Sequence, residues 1–449
     1  MKNGIKLLSF IAVLLIISCQ HDDAPQVYEK GTNEYANQWI YDQMQRYYYW
    51  ANNLPSGGNL SIPPKEYFKS LLYREDRFSY ALNLNDAATF PKSLRNLYGF
   101  DMEFVEHEGR VFGVVLYVLS NAPAQYAGLQ RGQLITAVDN VPLNAENYNE
   151  VYNGLSLSQN VNLQIMDYSQ ANGFSVQRSV NISRGIVLLE PVRSKILQQG
   201  SRTVGYIDIP HFDVGLSQSL LNAFAAFKTA AVNEIIVDLR YNGGGDVSSA
   251  TALCILLAPN IQADDKFIRF KGNANGGEVN QSFKEALKTN EQQVTFESLR
   301  NAHSPVNRVY ILCGSHTASA SEIIINNLRP FMEVITIGEK TVGKDTATFP
   351  VEDERATQGQ DKWVLYPAIY KLFNANGEGN YTQGITPAII LNELAQLEIH
   401  ALGNQNEILL NHALNAIAGN GRLATAANTT ILKKLTTTDD SEPVIINKF

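Results

Sequence analysis

Cysteine is scarce in this chain of 449 residues, with three in all. So few leave no disulfide scaffold to hold the fold. Charge is also sparse, at 18 % of residues, below the roughly 25 % of typical soluble domains. No basic tract is present and the net charge is −8, which argues against nucleic acid as a partner. The composition is not that of a coiled coil, a collagen or a disordered chain. The apolar run from Leu7 to Ile17 is shorter than the about 20 residues that comfortably span a bilayer.

What is present is ample apolar material, 45 % of residues, and a length that suggests roughly three domains. Lys2 and Lys6 precede the apolar run, which ends in Ile16-Ile17-Ser18-Cys19. A basic start, a short apolar stretch and a small residue before the cut are the parts of a secretory signal, here 1–18. Cys19 stands where a bacterial lipobox places its acylated cysteine, so lipid rather than a helix is expected to hold the chain to a membrane. The expected location is the bacterial cell envelope, at the outer membrane, on its periplasmic or surface face. Residues 19–33 read as a flexible tether. Cys254 and Cys313 sit in apolar runs and are expected to be buried and unpaired.

Residues 34–94 are aromatic and helical in pattern, with Tyr35, Trp39, Ile40, Met44, Tyr47 and Tyr48 at helical spacing. The run Tyr47-Tyr48-Tyr49-Trp50 reads as helix core rather than a ligand platform. Residues 95–183 read as short strands around one short helix, Pro123 to Leu129, stopped by glycine. This stretch resembles a PDZ domain of the bacterial protease type, on the pattern Pro123-Ala124-x-x-Ala127-Gly128-Leu129-x-x-Gly132 followed by Ile135, Val138, Asp139 and Asn140. The resemblance puts Tyr98-Gly99-Phe100 in the place of the carboxylate-binding loop, where backbone amides and a sheet edge capture a peptide C-terminus. Only one glycine occurs in that loop here. Residues 184–395 alternate strands and helices, the pattern of a largely parallel sheet. A helix over Glu407–Ala418 follows within 396–420, and 421–449 read as a mobile tail.

Three segments of the alternating region carry chemistry. Asp238-Leu239-Arg240-Tyr241-Asn242-Gly243-Gly244-Gly245 follows a buried strand; its glycines let backbone N–H groups approach a ligand or an oxyanion. Gly314 to Glu322 contains Ser319-Ala320-Ser321-Glu322. It reads as a capping box and also as an accessible hydroxyl at a helix start. Gly338 to Asp345 ends in Gly343-Lys344-Asp345. A lysine acts as a base only where burial or a nearby cation lowers its pKa.

Together these segments resemble the C-terminal processing peptidases, also called tail-specific proteases. Their core carries D-L-R-x-N-x-G-G, then S-A-S-E, then G-K with the lysine 25 residues after the serine; here Ser319 and Lys344 keep that spacing. Gly384-Ile385-Thr386-Pro387 is similar to the closing G-I-x-P. The resemblance implies Ser319 as nucleophile, Lys344 as general base, and the amides of Ala320 and Gly244 as oxyanion hole. The family's orienting glutamine, four residues after the lysine, is replaced by Thr348, the candidate third catalytic member, whose hydroxyl can hydrogen-bond an amine over a shorter reach. The implied fold class is multidomain α/β (α+β): a helical N-terminal domain, a β-rich PDZ domain and an α/β protease core. The implied function is a serine endopeptidase acting on protein or peptide substrates with accessible C-termini. It implies no cofactor and no metal, and says nothing of oligomeric state.

Three other readings compete. Gly338 to Lys344 fits a P-loop, but Asp345 stands where Ser or Thr would bind Mg²⁺, and a strand rather than a helix is expected next. A Ser–His hydrolase using His316 or His211 lacks the G-x-S-x-G elbow. A catalytically inactive peptide-binding lipoprotein is the remaining alternative, supported by the Thr348 departure alone.

Overall fold

The computed structural model describes residues 27–91, 93–188, 192–287, 294–356, 361–419 and 432–435. The signal segment and Cys19 lie outside the described residues. Among the described residues no helix is long and apolar enough to cross a membrane.

The alternating region forms a six-stranded sheet. Its strands Arg202–Asp208, Glu234–Asp238, Arg308–Cys313, Glu333–Gly338 and Ile389–Ile390 run parallel, with Arg193–Gln199 antiparallel at one edge. Strands such as Glu234–Asp238 are buried along their whole length, as expected where helices cover both faces of a parallel sheet. Helices Ser217–Thr229, Val247–Leu257 and Ala320–Leu328 pack on one face, in a cluster with Val237, Leu239 and Ile311. The helix Ile408–Ile417 covers the other face through Leu409, Leu410, Ala413 and Leu414. The C-terminal helix is thus a layer of the core rather than an appendage. Cys254 and Cys313 are buried and free.

Two smaller sheets were not legible in the sequence. One is antiparallel and joins Glu278–Ser282, Lys266–Lys271, Ala368–Phe373 and Thr346–Thr348. The other joins Tyr80–Asn83 to Trp363–Tyr366 and Val351–Glu352. The N-terminal region holds the expected helices Asn33–Tyr47 and Pro64–Ser70. Its strand Tyr80–Asn83 nonetheless belongs to a sheet completed by residues nearly three hundred positions later. Trp39, Met44, Tyr48 and Phe68 share one cluster with Trp363 and Leu365. The Tyr48 and Trp50 aromatics therefore serve packing, as read from their spacing.

Residues 94–183 form the β-rich unit. Its main sheet runs Phe100–His107, Arg110–Val118, Leu134–Val138, Asn160–Met166 and Arg178–Ser183. The helix Tyr148–Leu157 contributes Leu155 to its core. Arg131 ties this unit to the parallel sheet: it bonds Glu393 at 3.0 Å and the carbonyl of His400 at 2.9 Å. Glu393 also accepts from Tyr241 at 2.5 Å and from the buried Arg240 at 3.3 Å. Arg240 in turn holds Asp238 and Glu407, the residue that caps the C-terminal helix. A buried charge of this kind persists only when fully paired.

The tail departs from expectation. Lys433–Lys434 forms a strand antiparallel to Phe100–His107. That stretch is packed and paired, because Leu432 is fully buried.

Candidate active site

Ser319 stands at the N-terminus of the helix Ala320–Leu328, with φ 55° and ψ −116°. A positive φ outside glycine is strained and persists only when its surroundings enforce it. Here the enforcement is visible. The Ser319 N–H donates to Glu322 Oε2 at 2.9 Å. Ala318 N–H donates to the Asn242 carbonyl at 3.1 Å, and Ser321 Oγ donates to the same carbonyl at 2.9 Å. The glycine-rich turn and the serine turn are thereby stitched together.

Gly244 is pressed against the serine. With φ +113°, it leaves no room for a side chain: a Cβ there would lie 2.7 Å from Ser319 Cβ and 2.9 Å from the Ala320 nitrogen. The Gly244 N–H, expected in the oxyanion hole, donates here to Asn242 Oδ1 at 2.8 Å. The N–H groups of Gly243 and Gly245 carry no bond of this kind among the described residues. Ala320 is the first residue of its helix, so its N–H has no acceptor in that helix.

Glu322 is the residue whose role the sequence under-read. The capping contact to Ser319 is present, as expected, but the carboxylate does more. Its Oε2 also accepts the Lys344 N–H at 2.8 Å. Its Oε1 accepts Gly343 N–H at 2.7 Å and Thr341 Oγ1 at 2.6 Å. Burial pushes its carboxyl up to about 7, against these hydrogen bonds. The four-donor arrangement fixes the main chain of both the serine and the lysine segments.

The Gly343-Lys344 turn is closed from outside by the Gly384-Ile385 segment. A Cβ on Gly343 would meet Gly384 N at 2.5 Å, and one on Gly384 would meet Thr341 O at 2.1 Å. Ile385 N–H donates to Thr341 Oγ1 at 2.7 Å. This close backbone approach is the physical content of the Gly384-Ile385-Thr386-Pro387 motif.

Burial pushes the Lys344 ammonium down to about 8, against the pull of the Asp76 and Glu322 carboxylates. Lys344 Nζ lies 6.0 Å from the centre of the Phe78 ring. The Arg77 guanidinium donates to the Val342 carbonyl. Asp76, Arg77 and Phe78 of the N-terminal region therefore roof the lysine; no motif in the sequence pointed to them. Asp345 is not available to Lys344 as a close partner, since Lys371 Nζ binds both its oxygens at 2.8 Å.

Thr348 lies in the strand Thr346–Thr348 opposite Ala368. Among the described residues no hydrogen bond joins it to Lys344. His316 faces the β-rich unit, 3.8 Å from Glu103, and no hydrogen bond joins it to Ser319. Among the described residues no group of three or more His, Cys, Asp or Glu side chains is placed to hold a metal ion.

Tyr98, Gly99 and Phe100 are placed differently from the expectation. The side chains of Tyr98 and Phe100 are buried in the core of the β-rich unit. Gly99 N–H donates to the carbonyls of Arg95 at 3.0 Å and Leu94 at 3.3 Å, closing the helix Leu94–Tyr98. The glycine amide expected to capture a carboxylate is spent on that helix end.

Residues 203–391 match Peptidase family S41, and residues 35–80 match the Peptidase S41 N-terminal domain. The chain is 21 % identical over 319 residues to the carboxy-terminal processing protease CtpB of Bacillus subtilis, covering 71 % of this chain and 60 % of that one. It is 24 % identical to the tail-specific protease of Haemophilus influenzae over 48 % of this chain and 29 % of that one. It therefore spans six-tenths or less of the length of these curated relatives. A solved Bacteroides fragilis protein described as an S41 protease superposes with a TM-score of 0.70 at 25 % identity, covering 88 % of this chain and 99 % of that one. The photosystem II D1 C-terminal processing protease shares the fold, with a TM-score of 0.50 at 16 % identity over 86 % of this chain and 98 % of that one.

Proposed function

The chain belongs to peptidase family S41, and from that we propose that it is a serine endopeptidase with Ser319 as nucleophile and Lys344 as general base. The observation that carries this reading is the single carboxylate, Glu322, that accepts the main-chain N–H groups of both Ser319 and Lys344. It keeps the two segments in register, so that a neutral Lys344 takes the Ser319 hydroxyl proton as Oγ attacks the scissile carbonyl carbon. Charge developing on the carbonyl oxygen meets the Ala320 N–H and an N–H of Gly243 or Gly245 at the helix start. Collapse breaks the C–N bond, the lysine proton passes to the leaving amine, and an acyl-serine remains. Water, deprotonated by Lys344, then releases the acid and restores the serine.

The substrate we infer is the unstructured C-terminal segment of a protein. The β-rich unit acts as a PDZ-like domain that adds such a segment to its sheet by main-chain pairing. No cofactor takes part in the steps above. The protein is proposed to be exported and held at the cell envelope by lipid on Cys19. Metabolic labelling with a fatty acid tests the anchor, which predicts label in the native chain and none in Cys19→Ala.

Hydrolysis of an unfolded reporter protein tests the activity. It is expected from the native chain and lost, by at least a thousandfold, in Ser319→Ala and Lys344→Ala. Equal turnover by native and Ser319→Ala chains would remove the reading and leave a peptide-binding protein.

A further inference from the structure

The edge of the β-rich sheet that would receive a peptide is already occupied by this chain. Lys433 pairs with Glu106 and Lys434 with Val105, and Leu435 N–H donates to the Phe104 carbonyl at 2.8 Å. The segment runs antiparallel to Phe100–His107, so its C-terminal direction points toward Gly99. Its side chains alternate, as strand geometry requires. Leu435 packs on the cluster of Phe104, Leu155 and Val180, where Tyr148 and Tyr152 of the helix Tyr148–Leu157 also pack. Leu432 is on the other side, buried with Tyr241, Leu394 and Leu397 of the protease core.

Lys434 faces that core as well. Its Nζ lies 3.2 Å from Glu103 Oε2 and 4.0 Å from Glu339 Oε2. It also donates to Ser315 Oγ at 3.2 Å, four residues before Ser319. Lys433 Nζ pairs with Glu106 at 2.9 Å on the exposed rim. Glu103, Glu106 and Glu339 thus present an acidic border to whatever strand lies on this edge, and the two lysines match it.

We propose that Leu432–Leu435 is a built-in ligand of this edge, which an incoming peptide must displace, and that the edge takes peptides carrying a basic residue followed by an aliphatic one. Main-chain pairing supplies sequence-independent affinity, while the Leu435 place and the Glu103–Glu339 place supply selection. While the segment is seated, the addition edge is closed and the β-rich unit is strapped to the loop before the serine. That the incoming peptide is a substrate rests on the peptidase reading; the occupancy of the edge does not.

The test therefore uses the full chain with Ser319→Ala, in which binding is measured without cleavage. The probe is a fluorescent peptide copying residues 428–439, followed by anisotropy. The double change Lys434→Glu with Leu435→Asp weakens the resident strand and is expected to tighten peptide binding at least tenfold. A probe with Glu in the Lys434 place is expected to bind at least tenfold more weakly than the copy. A second variant guards against a folding defect: Glu106→Cys with Lys433→Cys locks the segment when oxidised and frees it when reduced. Binding is expected to appear on reduction and vanish on oxidation. Equal affinity in the native, double-changed, oxidised and reduced chains would overturn the proposal, as would binding by none of them. Failure of Ser319→Ala to abolish proteolysis would overturn the peptidase reading alone.

Discussion

Ser319 and Lys344 donate their backbone N–H groups to one and the same atom, Glu322 Oε2, at 2.9 and 2.8 Å. Glutamine in that place offers one oxygen and turns N–H donors against at least one of the N–H groups now held. Glu322→Gln is expected to keep the fold and lower kcat by about a hundredfold or more, with little change in KM, because positioning rather than binding is lost. Steady-state kinetics with circular dichroism as the folding control checks this. A variant with native kcat would remove Glu322 from the site.

With Lys344 as the proposed base, its ammonium, brought down to about 8 by burial, is expected to set the pH dependence. Only its neutral form accepts the serine proton, so kcat/KM is expected to climb about tenfold between pH 7 and 9 along a single ionisation. The stability consequence has the opposite partner. Because the folded-state value lies below the unfolded one, the folded chain bears the cost of a buried charge at low pH, and the cost lifts as pH rises through about 8. Lys344→Met is therefore expected to abolish activity yet raise Tm by about 2–4 °C at pH 7, an advantage that shrinks by pH 10. Scanning calorimetry at the two pH values reads it.

Gly244 admits no side chain. At φ +113°, with Ser319 Cβ 2.7 Å from the place of a Cβ, Gly244→Ala is expected to cost about 1–3 kcal/mol from the backbone alone. It is also expected to lower kcat at least tenfold by displacing the serine. Urea unfolding and reporter hydrolysis on the same preparation measure both.

Thr348 is where the sequence left a gap in the expected catalytic set. No hydrogen bond ties it to Lys344 among the described residues, and its strand pairs with the Ala368–Phe373 strand instead. Thr348→Ala is accordingly expected to retain kcat within about threefold, a difference of well under 1 kcal/mol in barrier. A hundredfold loss would restore Thr348 as a functional member.

Glu393 joins the β-rich unit to the core. Burial pushes its carboxyl up, but the Arg131 and Arg240 guanidiniums outweigh that and hold it at about 2. Its contribution to stability is present above the ordinary carboxylate range and is lost as pH falls through about 2. Glu393→Gln is expected to be less stable by about 3 kcal/mol at neutral pH, with the difference from the native chain narrowing as pH drops below about 4.5. Denaturant midpoints across that range test it.

The parallel sheet was legible because buried strands such as Glu234–Asp238 read as unbroken apolar runs between helical patterns. That the Ser319 and Lys344 segments meet, as they do on Glu322, was legible because short motifs carry them at a fixed separation. Asp76 and Phe78 were not, since they reach the lysine from 250 or more residues away and no local pattern announces such a contact. The sheet that joins Tyr80–Asn83 to Trp363–Tyr366 was hidden for the same reason. Glu322 was visible only as a helix cap, because a capping box looks alike whether or not the carboxylate also holds a second loop. The partners of the Gly99 and Gly244 amides were not legible, because sequence shows which groups could donate but not which acceptors reach them first. The tail composition, rich in threonine and asparagine, concealed the short apolar and basic stretch at 432–435.

The most direct test of the central claim is covalent labelling of the native chain by a serine-directed fluorophosphonate, mapped by mass spectrometry. It should be run beside reporter hydrolysis in the native, Ser319→Ala and Lys344→Ala chains. The account predicts label on Ser319 alone, abolished in Ser319→Ala and strongly slowed in Lys344→Ala, with hydrolysis falling in parallel. Label on another residue, or undiminished hydrolysis in Lys344→Ala, would contradict it.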